Sequence, residues 1–108
     1  MLYLTATGRR SGEPRTVPLL YVHHGDRIAV AGTNWGQDHA PAWALNLDAN
    51  PDADLELSGA TRQVRARRAT QDEWQEFWPR MIDVWPAYAN YSKRAGREIP
   101  MYVLEPRD

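Results

Sequence analysis

The chain has 108 residues, 43% of them apolar and 25% charged, with a formal net charge of −1 at pH 7. That length closes a hydrophobic core of its own, and the near-balanced charge gives no bulk electrostatic drive toward nucleic acid or an anionic bilayer. The lack of cysteine removes disulfides, thiolate nucleophiles and zinc thiolate sites together, so any anion chemistry has to come from local clusters of charge.

Leu2–Ala6 predicts a first strand and Thr7–Gly12 a glycine-punctuated turn. Arg15–His23, rich in apolar and β-branched residues, predicts a second strand, and His24-Gly25-Asp26 turns into a third at Arg27–Ala31. Gly32 and Gly36 bracket Thr33, Asn34 and Trp35. Asp38 is placed to cap a helix running to about Asp48, with Pro41 in its first turn and Asn50-Pro51 at its end. Leu55 and Leu57 alternate with polar residues, Ser58-Gly59 turns the chain, and Val64 and Ala66 alternate on the return. This reads as a hairpin with one buried face.

Thr70-Gln71-Asp72-Glu73 has the form of a capping box. From it Trp74, Trp78, Met81 and Trp85 recur at spacings of four, three and four, one face of a helix. Pro79 is expected to kink or restart that helix, and Pro86 to begin a further short one. Pro100–Leu104 predicts a closing strand. About six short strands with two helical insertions, and no strand–helix–strand alternation, imply a mainly β chain of the α+β class. The expectation is a small, mostly antiparallel barrel with helices packed on it, in a single domain over residues 1–108.

Most polar groups have plain structural roles. His23 and His24 are neighbours whose side chains point to opposite faces of a strand, and His39 stands alone, so no metal is expected. No G-x-S-x-G pattern marks a serine nucleophile. Arg62, Arg65, Arg67 and Arg68 read as a solvated strand edge that discourages pairing. The stretch TATGRRSGEPRTVPLLYV is different, because a tight turn needs one glycine and no arginine. Gly8 and Gly12 permit a backbone whose N–H groups converge on an anion, and Arg9, Arg10 and Arg15 supply charge-assisted donors, with the Ser11 hydroxyl beside them. A charged hairpin loop with no ligand is the alternative at this level. Trp74, Trp78 and Trp85 suit core packing or an apolar pocket wall, whereas Trp35 and Trp43 stand off that stripe and suit the wall of a planar ligand. Tyr88 and Tyr91, three apart, share a helix face.

Three segments carry a resemblance. TATGRRSGEPRTVPL resembles the L-T-T-x-G-R-x-S-G-x-x-R-x-x-P-L signature of the deazaflavin-dependent nitroreductase family. NWGQDHAPAWALNLDANP is similar to that family's second loop and its P-x-W-x-x-N-L helix, and WPAYANYSKRAGREIPMYVLEP to its closing Y-x-x-Y and R-x-I-P segment. The resemblance implies a split β-barrel of the FMN-binding kind and reduced coenzyme F420 as cofactor, whose phosphodiester and glutamate tail would account for the arginine-rich loop. By residue, it implies that Arg9, Arg10, Ser11, Gly12 and Arg15 hold the anionic tail, and that Pro18 and Leu19 lie near the deazaflavin ring. Thr33, Asn34, Trp35 and Gly36 match its second cofactor loop, Trp43 and Asn46 the supporting helix, and Tyr88 and Tyr91 the border of the substrate pocket. Trp35 stands where the family commonly has glycine, and Ala95 where many members have threonine.

The implied activity is hydride transfer from the reduced deazaflavin to an electron-poor small molecule, a quinone, nitro compound or activated enone, with Tyr88 or Tyr91 orienting it or donating a proton. The alternatives are a non-catalytic carrier of the deazaflavin or of another small ligand, and an FMN-dependent reductase on the same barrel. No nucleic-acid partner and no metal are expected. The absence of a signal peptide favours the cytoplasm. The longest apolar run, Val17–Val22, is too short to span a bilayer. Membrane association is left to the helical segment that precedes the signature in family members and lies outside these 108 residues.

Overall fold

The computed structural model describes residues 1–33, 40–90 and 99–107. Its strands are β1 (Leu2–Thr7), β2 (Pro14–Leu19), β3 (Val22–His24), β4 (Arg27–Ala31), β5 (Asp52–Leu57), β6 (Ala60–Arg68) and β7 (Met101–Pro106). Helix α1 (Ala42–Ala49) lies between β4 and β5, and α2 (Gln71–Val84) between β6 and β7. All seven strands join one sheet in the order β2-β1-β5-β6-β7-β4-β3, with every neighbouring pair antiparallel.

The two margins of that sheet, β2 and β3, are consecutive in the chain and separated only by Leu20 and Tyr21. A link of that length spans at most about 11 Å, so the margins have to lie side by side. The sheet therefore curls into a half-barrel with a split between β2 and β3. This corrects the expected single strand over Arg15–His23. Residues 14–19 pair with β1 and residues 22–24 with β4, at opposite margins, so the chain must leave one ladder before entering the other.

Side chains divide into two clusters. Leu2, Leu4, Val30, Leu55, Val64, Tyr102 and Leu104 fill the inside of the barrel, with Ala44 and Leu47 of α1 closing one end. Ala29, Ala31, Met101 and Val103 face the other way and are covered by Phe77 and Met81 of α2. Strands β4 and β7 are thus buried on both faces, which is why IAVA and MYVL read as unbroken apolar runs rather than alternating ones.

Helix α2 begins as expected. Thr70 accepts from the Glu73 N–H at 3.2 Å, and the Glu73 carboxylate accepts from the Thr70 N–H at 2.9 Å. Pro79 does not end it, since the helix continues to Val84. Phe77 and Met81, on either side of the proline, are both anchored in the core, and that burial offsets the lost backbone bond. The buried face is Glu73, Phe77 and Met81 rather than the tryptophan stripe. Trp74 and Trp78 flank it half-buried with ring centroids 4.5 Å apart, and Trp85 is 39% exposed beyond the helix end.

The arginine row is likewise corrected. Strand β6 is no edge, being paired with β5 on one side and β7 on the other. Three of its arginines are paired across the sheet surface: Arg65 with Asp52 at 2.9 Å, Arg67 with Glu73 and Glu105, and Arg68 with Asp48. These three charges are tolerated on a central strand because each meets a carboxylate, and Arg62 is exposed near the hairpin turn.

Candidate functional site

The loop between β1 and β2 is a tight, internally bonded turn. The Gly8 N–H donates to the Glu13 carbonyl at 2.8 Å, and the Gly12 N–H donates to the Gly8 carbonyl at 2.9 Å. Gly12 has φ of +72°, a conformation that favours glycine. Gly8 is required for another reason, since a Cβ there would lie 2.7 Å from Ser11 Oγ and 3.2 Å from the Glu13 carbonyl oxygen. Gly8→Val is therefore expected to cost about 2 kcal/mol through overpacking. A thermal denaturation midpoint equal to that of the unaltered chain would refute this.

Several of this loop's backbone amides already have partners inside the protein. The amides of Gly8, Gly12 and Glu13 are spent within the turn, the last on Ser11 Oγ at 3.2 Å. The Arg9 amide is spent on α1. Its N–H and its Nη1 both donate to Asn46 Oδ1, at 3.1 and 3.0 Å, and Asn46 is only 5% exposed. What the loop presents outward is side-chain charge, with Arg9, Arg10 and Arg15 all exposed. Arg15 has only Glu13 near it, at 4.0 Å, an exposed pairing too weak to hold it.

These arginines line one wall of an open cavity of about 540 Å³, with Ser11 beside them and Trp43 and Asn46 opposite. Gly12 lies at the turn and not in its lining. A second cavity, of about 470 Å³, occupies the split in the barrel. Val17, Pro18, Leu19 and Leu20 form one side of it, Ala31 and Thr33 another, and Trp43, Trp85 and Tyr88 the rest. Val17 and Trp43 border both spaces, so a cationic compartment and an apolar, aromatic one share a wall. Tyr88 is 9% exposed and stacks on Trp78 at 6.1 Å, which holds its ring in place.

Of the residues expected from sequence, Arg9, Arg10, Ser11, Arg15 and Asn46 line the first cavity, Pro18, Leu19, Thr33 and Tyr88 the second, and Trp43 both. Asn34, Trp35, Gly36 and Tyr91 lie outside the described residues, as do Asp38 and His39. Helix α1 starts at Ala42 with Pro41 at its cap position and no side-chain cap bond. Sequence reasoning missed Val17 and Ala31 as cavity walls. Trp85, which ends the helical stripe just before Pro86, takes the pocket-wall role of the two its periodicity allowed. Val17 and Ala31 carried no signal, because apolar strand residues look alike wherever they face.

A planar, largely apolar group joined to a multiply charged anionic tail fits this donor set. Guanidinium groups suit phosphate and carboxylate oxygens, and the apolar split suits a ring system. Among the described residues no group of three or more His, Asp or Glu side chains is placed to hold a metal ion. No helix among them is long and apolar enough to cross a membrane.

Comparison with known proteins points the same way. A family model described as F420H(2)-dependent quinone reductase matches residues 1–106. The chain is 34% identical over 106 residues to Rv3178 of Mycobacterium tuberculosis, covering 98% of this chain and 89% of that one. It is 31% identical over 110 residues to the F420H(2)-dependent quinone reductase Rv1261c of the same organism, covering 98% and 73%. Among solved structures, an F420-H2 dependent reductase (FDR-A) superposes with a TM-score of 0.87 at 28% identity, covering 96% of this chain and 92% of that one.

Proposed function

The chain belongs to the F420H(2)-dependent quinone reductase family and transfers a hydride from reduced coenzyme F420 to a quinone, and from that premise we propose how its own residues divide the work. The split β-barrel, the reductase activity and the F420 dependence expected from the three motifs all stand. The observation that carries the site assignment is the shared wall: Trp43 and Val17 join an arginine-lined compartment to an apolar one.

In this reading Arg9, Arg10 and Arg15 hold the anionic tail, with the Ser11 hydroxyl as a further donor. Asn46 fixes the direction of Arg9 from α1. Pro18, Leu19 and Thr33 border the ring, and Trp43 closes the side nearest the tail. Asn34, Trp35 and Gly36, outside the described residues, are assigned to the cofactor by their family match alone. When bound, the reduced deazaflavin supplies the hydride. The protein supplies placement and a water-poor surround: Val17, Leu19, Leu20 and Ala31 contribute only hydrocarbon to the split. Tyr88 borders the space left for the acceptor, and the stacking on Trp78 keeps it a fixed wall rather than a swinging one. Tyr91, outside the described residues, is assigned to the acceptor by its family match alone. A cytoplasmic location belongs to this reading too, as does one cofactor-binding domain over residues 1–108.

The direct test mixes the purified chain with reduced F420 and menadione and follows the return of oxidised-cofactor absorbance. Protein-dependent oxidation is expected, with loss on Tyr88→Phe confined to the acceptor's KM and kcat and with F420 affinity unchanged. Tight binding without turnover would favour a carrier. Binding of FMN in preference to F420 would overturn the tail assignment.

A further inference from the structure

Tyr102 lines neither cavity, yet it ties the sheet by hydrogen bonds to the helix that borders both. It lies in β7 and is 2% exposed. Its hydroxyl sits 2.9 Å from Asp48 Oδ1 and 3.1 Å from the Ala44 carbonyl oxygen, both on α1, and donates its one proton between them. Arg68, directly opposite Tyr102 in the β6–β7 ladder, lays its guanidinium over the Tyr102 ring at 5.1 Å. The same guanidinium donates Nε and Nη2 to Asp48 Oδ1 and Oδ2 at 3.2 and 3.0 Å. Burial, and then the bond to Asp48, push the Tyr102 hydroxyl pKa up, so it stays a donor. The edge of the Trp43 ring system meets Tyr102 at 5.8 Å between centroids.

Helix α1 needs such a hold. It has eight residues, no side-chain cap bond and no acidic residue in its first turn, so little in its own sequence defines it. Only Ala44 and Leu47 supply buried apolar contact, and small apolar contacts leave a short helix free to roll. The polar clamp on Ala44 and Asp48 fixes that roll, and with it Trp43 and Asn46.

We propose that Tyr102, with Arg68 and Asp48, is a positioning residue for the cofactor: it sets the angle of the Trp43 wall between tail and ring compartments without touching either. The proposal rests on Trp43 bordering the cofactor, as read above. The test is a double-mutant cycle on F420 affinity, measured by fluorescence titration well below the unfolding temperature. Tyr102→Phe keeps the ring that supports Trp43 and Arg68 and removes only the donated proton. It is expected to raise the F420 dissociation constant about tenfold in the otherwise unaltered chain, and about twofold or less in a Trp43→Leu background. Asp48→Ala, a surface change that leaves the Tyr102 ring in place, is expected to reproduce the loss. A merely structural role would lower the melting temperature without this dependence on Trp43. An unchanged constant with either Tyr102→Phe or Asp48→Ala, or an equal loss with and without Trp43, would overturn the proposal. If Trp43→Leu alone leaves binding intact, the cofactor-wall reading falls and takes the proposal with it. If Trp43→Leu weakens binding and Tyr102→Phe does not, the proposal falls alone.

Discussion

Replacing Arg9 and Arg15 together by alanine is expected to raise the F420 dissociation constant about 300-fold, since each charge-assisted bond to a phosphate or carboxylate contributes about 1.5–3 kcal/mol. The chain itself should survive the change. Both residues are exposed, the only ion pair of Arg15 among the described residues is the 4.0 Å contact with Glu13, and the Arg9 main-chain N–H keeps its bond to Asn46 in the alanine variant. Melting of the cofactor-free protein should therefore move little while binding is lost, which separates an anchoring role from a structural one. The discriminating measurement is a titration of both forms with F420 at fixed salt. Equal affinity would mean that the anionic tail is not held by this loop. A matching fall in melting temperature would mean that the arginines serve the fold.

The second large effect is on stability. Glu73 is 7% exposed and stands between two guanidinium groups. Arg67 grips it through Nη1 at 2.6 Å and Nη2 at 2.8 Å, and Arg27 reaches it at 3.3 Å. The paired hydrogen bonds from Arg67 hold the Glu73 carboxyl down to about 2, well below the usual carboxylate value, against the opposing effect of burial. A carboxyl that is more acidic folded than unfolded stabilises the fold above its unfolded pKa of 4.5 and loses that contribution as pH falls toward 2. Glu73→Ala removes the carboxylate from a buried site shared with two arginines and breaks the capping box as well. The cost is expected to be about 3 kcal/mol, or a melting temperature lower by roughly 15 °C at pH 7. Between pH 4.5 and 2 the unaltered chain should lose stability more steeply than the variant. Parallel profiles over that window would show that some other group carries the acid sensitivity.

Much of the local structure was legible from short-range chemistry. Thr70 and Glu73 announced the start of α2 because a capping box needs only four consecutive residues to form. The β5–β6 hairpin was legible for the same reason, since Leu55 pairs with Arg62 across a tight turn. The arginine-rich loop was legible as a charged turn through its composition, and the family and its cofactor through three motifs in order. What misled was any inference that depended on neighbours far away in the chain. The arginines of β6 looked like an edge because the sequence does not say that β7, more than thirty residues on, pairs with them. Pro79 gave no sign that the helix would run unbroken to Val84, because propensity is local while the burial of Phe77 and Met81 is not.

The sequence by itself thus determined the family and the cofactor. The tertiary structure alone decided that the cationic loop and the apolar split share Trp43 and Val17, and that Asn46 aims Arg9. It alone placed Tyr102 behind the helix that joins them. The physical reason is that motif chemistry is a property of side chains in short segments. A site's shape is a property of ladder register and sheet closure, which are set by contacts between residues far apart in the chain, as in the pairing of Ile28 with Leu104, 76 positions on.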